Sequence, residues 1–275
     1  MLLIRDTSFG STTHCAHRNA WCRCAPHCAG QGRRPFISAG VKRLCLVFAL
    51  TLVVAQSLAA GPAERIPSRA EVKYRLRIGG ILIGEGFGVF QQDGKTYSVV
   101  MESRTVGIAA IYRLHIRSEA RGKVTAAGLR PLSFVETRNG RFRRSASFDW
   151  TAGQLELTDG DKKQTVQLRS NTWDIASLAC AFSFARPDGK DAQLYMTDGR
   201  RLTEYKYSVV GRERIVTPLG ELDTVHVKKI LEGDDKRGFD AWLAVDRHFL
   251  VVRARATEKS GIAFDWTVES ADFGS

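Results

Sequence analysis

Residues 14–28 read HCAHRNAWCRCAPHC and hold the densest chemistry in the chain. Cys15, Cys22, Cys24 and Cys28 stand among His14, His17 and His27, the thiolate and imidazole donors that suit tetrahedral zinc. Their spacing matches no standard zinc knuckle. The segment downstream argues against a metal site here. Residues 41–61, VKRLCLVFALTLVVAQSLAAG, carry the three parts of a secretory signal peptide. Lys42 and Arg43 supply the charge, residues 44–55 the apolar run, and Ser57-Leu58-Ala59-Ala60 the small residues at which a signal peptidase cuts. An export leader works from the N-terminus, so an ordered metal site ahead of it has no physical use. The expectation is that translation begins at Val41, that residues 1–40 are a non-native extension from a misplaced start, and that no metal is bound.

This leader sets the domain layout. Residues 41–60 are the signal peptide, cleaved near Ala60, and residues 61–275 form a single β-rich periplasmic domain. The apolar run is shorter than the roughly 20 residues a membrane helix needs, and nothing downstream resembles a second span. Seven Lys/Arg and one Asp fall in residues 1–60, leaving 34 basic against 28 acidic side chains, a net of +6. That charge is scattered along strands, without the basic stretch interleaved with aromatics that nucleic-acid binding shows. It reads as a solvated surface, the alternative being attraction to anionic lipid headgroups or another polyanion. Cys180 is the one cysteine after Gly61, so no disulfide forms within the exported part. Cys45 stands at the start of the apolar run and not at the cleavage point, so it is not expected to carry a lipid anchor.

Few residues after Gly61 could catalyse. His115 and His226 fall in alternating strand patterns and His248 in a turn, none with a ligand-like partner at i+2 or i+4. No nucleophile elbow, phosphate loop or zinc-protease motif is present. Cys180 sits among Leu178, Ala179 and Ala181, the setting of a small buried hydrophobe. Glu85, Asp149 and Asp265 could face inward, but their pairing across strands is not readable from one sequence. The reading is a protein without catalytic residues and without a cofactor.

The elements that would position any site are strands. In residues 71–78, Val72, Tyr74, Leu76 and Ile78 alternate with Glu71, Lys73, Arg75 and Arg77. The same period recurs over 81–91, 96–103, 112–124, 131–138 and 142–150. After 190 it predicts strands at 193–197, 202–210, 214–217, 222–232, 238–245, 250–257 and 262–270. Gly79-Gly80, Asp93-Gly94, Asn139-Gly140, Asp198-Gly199 and Ser260-Gly261 mark tight turns between them. Gly84, Gly86 and Gly88 suggest a bulge or strong bend in a curved sheet. One interruption, residues 171–184, places Trp173, Ile175, Leu178 and Phe182 at helical spacing behind Asp174 as N-cap. Close turns without crossover helices specify an antiparallel meander. So many strands cannot stay flat, so the fold class is mainly β. The meander curls into a barrel or half-barrel with one amphipathic helix as lid or plug.

Several segments in this order resemble the DUF3108 family of exported bacterial proteins. They are Tyr74-Arg75-Leu76 with Gly80-Ile81-Leu82-Ile83-Gly84-Glu85, then Ser103-Arg104-Thr105 with Gly107, and Gly128-Leu129-Arg130-Pro131. Thr217-Pro218-Leu219-Gly220-Glu221-Leu222 and Trp242-Leu243-Ala244 with Val251-Val252-Arg253 complete the pattern. The resemblance spans nearly all of residues 70–270. It implies a periplasmic β-rich domain and brings no activity with it. The layout is also similar to the curved sheet plus helix of periplasmic lipoprotein carriers, an analogy of fold.

Aromatic residues are spread over most strands and the helix. Tyr74, Phe90, Phe148, Trp173, Tyr205, Trp242 and Trp266 are the candidates to line an apolar cavity between sheet and helix. The leading expectation is therefore a periplasmic, non-enzymatic carrier or binding module for a lipid-like ligand. The alternative is an envelope scaffold that binds another protein and has a packed interior.

Overall fold

The computed structural model describes residues 66–184, 186–187, 189 and 191–274. The expectations for residues 1–40, for the signal peptide and for cleavage near Ala60 lie outside the described residues. The first half is a run of hairpins: β1 (Arg69–Ile78), β2 (Ile81–Gln92), β3 (Thr96–Thr105), β4 (His115–Thr125), β5 (Gly128–Arg138) and β6 (Arg141–Asp149). β7 (Gln154–Asp159), β8 (Lys162–Gln167) and β9 (Thr172–Asp174) lead into helix α1 (Ile175–Ala181). β10 (Ala192–Thr197), β11 (Leu202–Thr217), β12 (Gly220–Lys229), β13 (Gly238–Ala244), β14 (Leu250–Thr257) and β15 (Ala263–Gly274) complete the chain.

All fifteen strands join one sheet in the order β8-β7-β6-β5-β4-β3-β2-β1-β15-β14-β13-β12-β11-β10-β9. It is mostly β, barrel-like and not closed. Two meanders are joined at the middle, where β1 pairs antiparallel with β15. The backbone ladder never closes, because β8 and β9 remain edges.

Cross-strand neighbours explain the curl. Phe273, Ala70, Phe90, Val99, Ala120, Phe134, Ala146 and Leu157 form one continuous row from β15 through β1 to β7. Large and small side chains tend to alternate along it, so the strands can bend inward. Phe134, Ala120 and Leu157 are essentially inaccessible to water. A glycine-linked bulge adds to the bend. The β1–β2 register shifts between Leu76 and Arg77, and Gly84 lies where a Cβ would stand 3.2 Å from the Arg104 carbonyl.

The two ends of the curled sheet meet through side chains. Arg144 on β6 is almost fully buried and donates to Asp198 in the β10–β11 turn at 2.6 Å. Asp159, at the end of β7, also faces Arg144 and takes Arg143 and Arg200 as further ion-pair partners. Gln164 on β8 donates to the Arg200 carbonyl at 2.7 Å. Gly199 packs so closely on β6 that a Cβ would stand 2.9 Å from that of Arg144. The seam is thus ionic and steric rather than a ladder.

The helix differs from its sequence reading in length. Asp174 does cap it, its Oδ1 accepting from the Ala176 and Ser177 amides at 3.0 and 2.8 Å. Trp173, however, belongs to β9, which pairs parallel with β10, and the helix ends at Ala181. Seven residues are too few to be helical alone. Packing holds them. Ile175 and Ala176 meet the cluster of β2–β7, while Leu178 and Phe182 meet the cluster of β10–β14. Two further differences concern strands. Tyr112 ends a short 3-10 turn (Gly107–Tyr112) rather than opening β4. Residues 202–210 and 214–217 are one strand, β11, broken only by a bulge between Val209 and Gly211.

Candidate functional site

A void of about 60 Å³ lies between α1 and the inner face of β1–β3. Alternation on β1 and β2 aims Val72, Tyr74, Gly88 and Phe90 at it, and α1 covers it with Ala179 and Cys180. Gly88 matters by absence: nothing stands within 4 Å of where its Cβ would be. The Tyr74 hydroxyl donates to the Val251 carbonyl at 2.8 Å, tying β1 to β14 below the helix. Beside the void, the Tyr97 hydroxyl shares a hydrogen bond of 2.8 Å with Ser177 Oγ.

Burial governs the titratable groups here. It pushes the Cys180 thiol up to about 12, helped by the Asp174 charge, so the group is a neutral thiol and a poor nucleophile. It also raises the Tyr74 and Tyr97 phenols. Asp174 is pushed up to about 6, because desolvation outweighs the hydrogen bonds from Ser177 and Ala176. Its Oδ2 has no hydrogen-bond partner. A small apolar group could rest in this space. No cluster of metal-binding side chains occurs among the described residues.

The structure gathers only some of the aromatics singled out by sequence. Tyr74 and Phe90 share the main void. Trp266 lines a second one of about 30 Å³, with Leu76 and Gly84. Phe148 is core, stacked on Trp150 with ring centroids 6.1 Å apart. Trp173 stands where the first and third clusters meet, and its Nε1 donates to Asn171 Oδ1. Tyr205 packs against the third cluster beside Tyr207. Met101 and Phe184 line the main void and carried no sequence signal beyond being apolar.

Trp242 belongs to a separate constellation that register creates. His226 and Trp242 are direct partners on β12 and β13, and their rings stack at 4.5 Å with an interplanar angle of 11°. The Arg253 guanidinium lies 4.9 Å from the Trp242 ring centroid. His226 faces two carboxylates, Glu213 Oε1 at 3.2 Å from Nδ1 and Asp240 Oδ1 at 2.8 Å from Nε2. Trp242 Nε1 donates to the same Glu213 oxygen at 2.6 Å. Each polar group in the cluster has a partner within it, the mark of a structural network.

The DUF3108 family model, described as a protein of unknown function, matches residues 73–266. The chain belongs to the DUF3108 family. No curated protein matches its sequence. Among solved structures, this DUF3108 chain is similar to a beta-barrel-like protein of the DUF1849 family from Brucella abortus. The identity is 12%, with 76% of this chain and 98% of the other covered, at a TM-score of 0.48. It is also similar to a DUF1089 family protein from Pseudomonas aeruginosa, 15% identical over 61% of this chain and 87% of the other, with a TM-score of 0.36. MucB in complex with MucA(peri) is 9% identical, covering 78% of this chain and 52% of the other, at 0.30. These are distant likenesses, and none assigns a role to the DUF3108 chain.

Proposed function

We propose that this DUF3108 protein is a non-enzymatic module of the cell envelope that acts through its surface, as a scaffold or interaction domain built on a packed interior. One observation carries the reading. The void under α1 measures about 60 Å³, room for a few water molecules, whereas ligand pockets run from about 300 to 1,000 Å³. The rest of the space between sheet and helix is filled by Phe90, Phe134, Phe148, Leu155 and Leu157. The envelope location rests on the signal-peptide pattern of residues 41–61.

The carrier reading keeps one specific support: the void is apolar and lies directly under α1, a helix of seven residues. A lipid chain would fit only if α1 swung away from β1–β3. Solvent extraction and mass spectrometry of the purified protein separates the two. A packed module yields no stoichiometric lipid and shows no thermal shift with added fatty acid. A co-purifying lipid at one per protein would overturn the packed reading and restore the carrier.

A further inference from the structure

We propose that the rim of the sheet formed by the β1–β2, β3–β4, β5–β6 and β14–β15 turns docks onto an anionic lipid surface. In an antiparallel meander these four turns share one end of the sheet, and the strand order makes them neighbours. They carry the most exposed run of large apolar side chains in the described residues. On the 3-10 turn Ile108, Ile111 and Tyr112 are 75%, 81% and 78% exposed, and Ile81, Phe142 and Ile262 flank them at about half. A soluble surface scatters such residues singly; here they are gathered at one rim.

The fold holds this turn outward. Thr105 and Leu114 bond across its base, the Thr105 amide to the Leu114 carbonyl at 3.0 Å and the Leu114 amide to Thr105 Oγ1 at 3.1 Å. The Val106 amide reaches the Ile83 carbonyl on β2. Gly107, at φ +58°, sits where a Cβ would stand 3.0 Å from the Leu82 carbonyl. The exposure therefore comes from a braced knob.

Charge selects the occupant. Arg104, Arg138 and Arg143 near the rim are each matched by an acid, Glu85, Glu136 and Asp159 respectively. Arg77, Arg113 and Arg141 have no ion-pair partner among the described residues, so the rim is net positive. Apolar and aromatic side chains on a projecting turn, ringed by arginines, fit an interfacial mode in which the knob enters the acyl boundary and the guanidinium groups meet lipid phosphates. A protein groove would not require the unpaired arginines. No helix among the described residues is long and apolar enough to cross a membrane.

The test uses the full chain carrying Tyr112→Trp and vesicles of equimolar phosphatidylethanolamine and phosphatidylglycerol. Subtracting the emission of the parent protein isolates position 112, including from any lipid contact made by residues 41–61. A blue shift and quenching by bromine-labelled acyl chains are expected. Ile108→Glu with Ile111→Glu on the same background should weaken this local binding about tenfold or more. Arg113→Glu with Arg141→Glu, or high salt, should weaken it too. These side chains are exposed, so urea midpoints should hold; Ile111→Ser is the milder variant if the glutamates disturb folding. No shift, or a shift that survives the glutamates, overturns the proposal. An equal shift on pure phosphatidylcholine overturns its anionic part. A shift that grows with protein concentration without vesicles gives the rim to a second copy instead. The packed-interior reading stands or falls separately, on lipid extraction.

Discussion

Asp174 shows how one residue can be legible in type and misleading in setting. As the residue before a helical pattern it was readable as a cap, and it does cap α1. Its complete burial was not readable, because β5 and β10, which pack against its own strand β9, come from elsewhere in the chain. The folded state holds the Asp174 proton up to about pH 6, against an ordinary value of 3.8. Protons thus favour the folded protein. This contribution is complete below pH 3.8 and is lost as pH rises through about 6. Roughly two pKa units correspond to about 3 kcal/mol. Asp174→Asn keeps an acceptor for the Ala176 and Ser177 amides and carries no charge. The variant should be more stable than the parent at pH 7, by about 1–3 kcal/mol, with the difference vanishing by pH 4. Urea midpoints across that range measure it, and an unchanged difference at both ends would refute the buried-charge account. Cys180 is the opposite case: its alanine and leucine neighbours read as those of an inert buried thiol, and in the fold it is half-buried, with desolvation pushing the thiol up to about 12.

At the scale of elements, the hairpins were written locally. Asn139-Gly140 joins β5 to β6 with both residues at positive φ, as the turn requires. What escaped the sequence has weak local signals. β9 has three residues and exists only by pairing with β10. The 3-10 turn hid because Tyr112 read as the start of the strand over 112–124. The seam between β6 and the β10–β11 turn joins residues 54 apart, Arg144 and Asp198, and no spacing rule reaches that far. The seam makes two predictions. Gly199→Ala puts a side chain at φ +85° against the β6 backbone and should cost about 2–4 kcal/mol. Arg144→Met takes the buried guanidinium from Asp198, while Asp159 keeps Arg143 and Arg200, and it should cost about 2–4 kcal/mol, moderated because both acids keep some contact with water. In both variants, hydrogen exchange should speed up in β10 before β1 and β15, which lie at the centre of the sheet. Uniform acceleration would mean that the seam does not act as a local latch. Trp173→Ala, removing the side chain where two core clusters meet, should cost about 3 kcal/mol by the same urea assay.

For the molecule as a whole, the sequence announced a curled antiparallel sheet but not how full it is. Alternation says which side chains point inward; it does not say whether they touch. The join of β1 to β15 was equally hidden, since it pairs the two ends of the described chain. It makes the fold rich in distant contacts, a topology that folds slowly, in milliseconds to seconds. The degree of filling decides between scaffold and carrier, and Gly88 offers a direct probe. It faces the main void, its backbone lies outside the left-handed region, and nothing would lie within 4 Å of its Cβ. Gly88→Ala adds a methyl to empty space in mid-strand. Reduced freedom of the unfolded chain contributes about 0.4–1 kcal/mol and burial of the methyl about 0.8 kcal/mol. A scaffold should therefore gain about 1–2 kcal/mol in urea unfolding and keep its partners. A carrier whose α1 opens over this spot should gain the same stability but retain less lipid on extraction, because the added methyl stands where the ligand would enter. A loss of stability would show that the space beside Gly88 is not free, and would remove the void as a site of either kind.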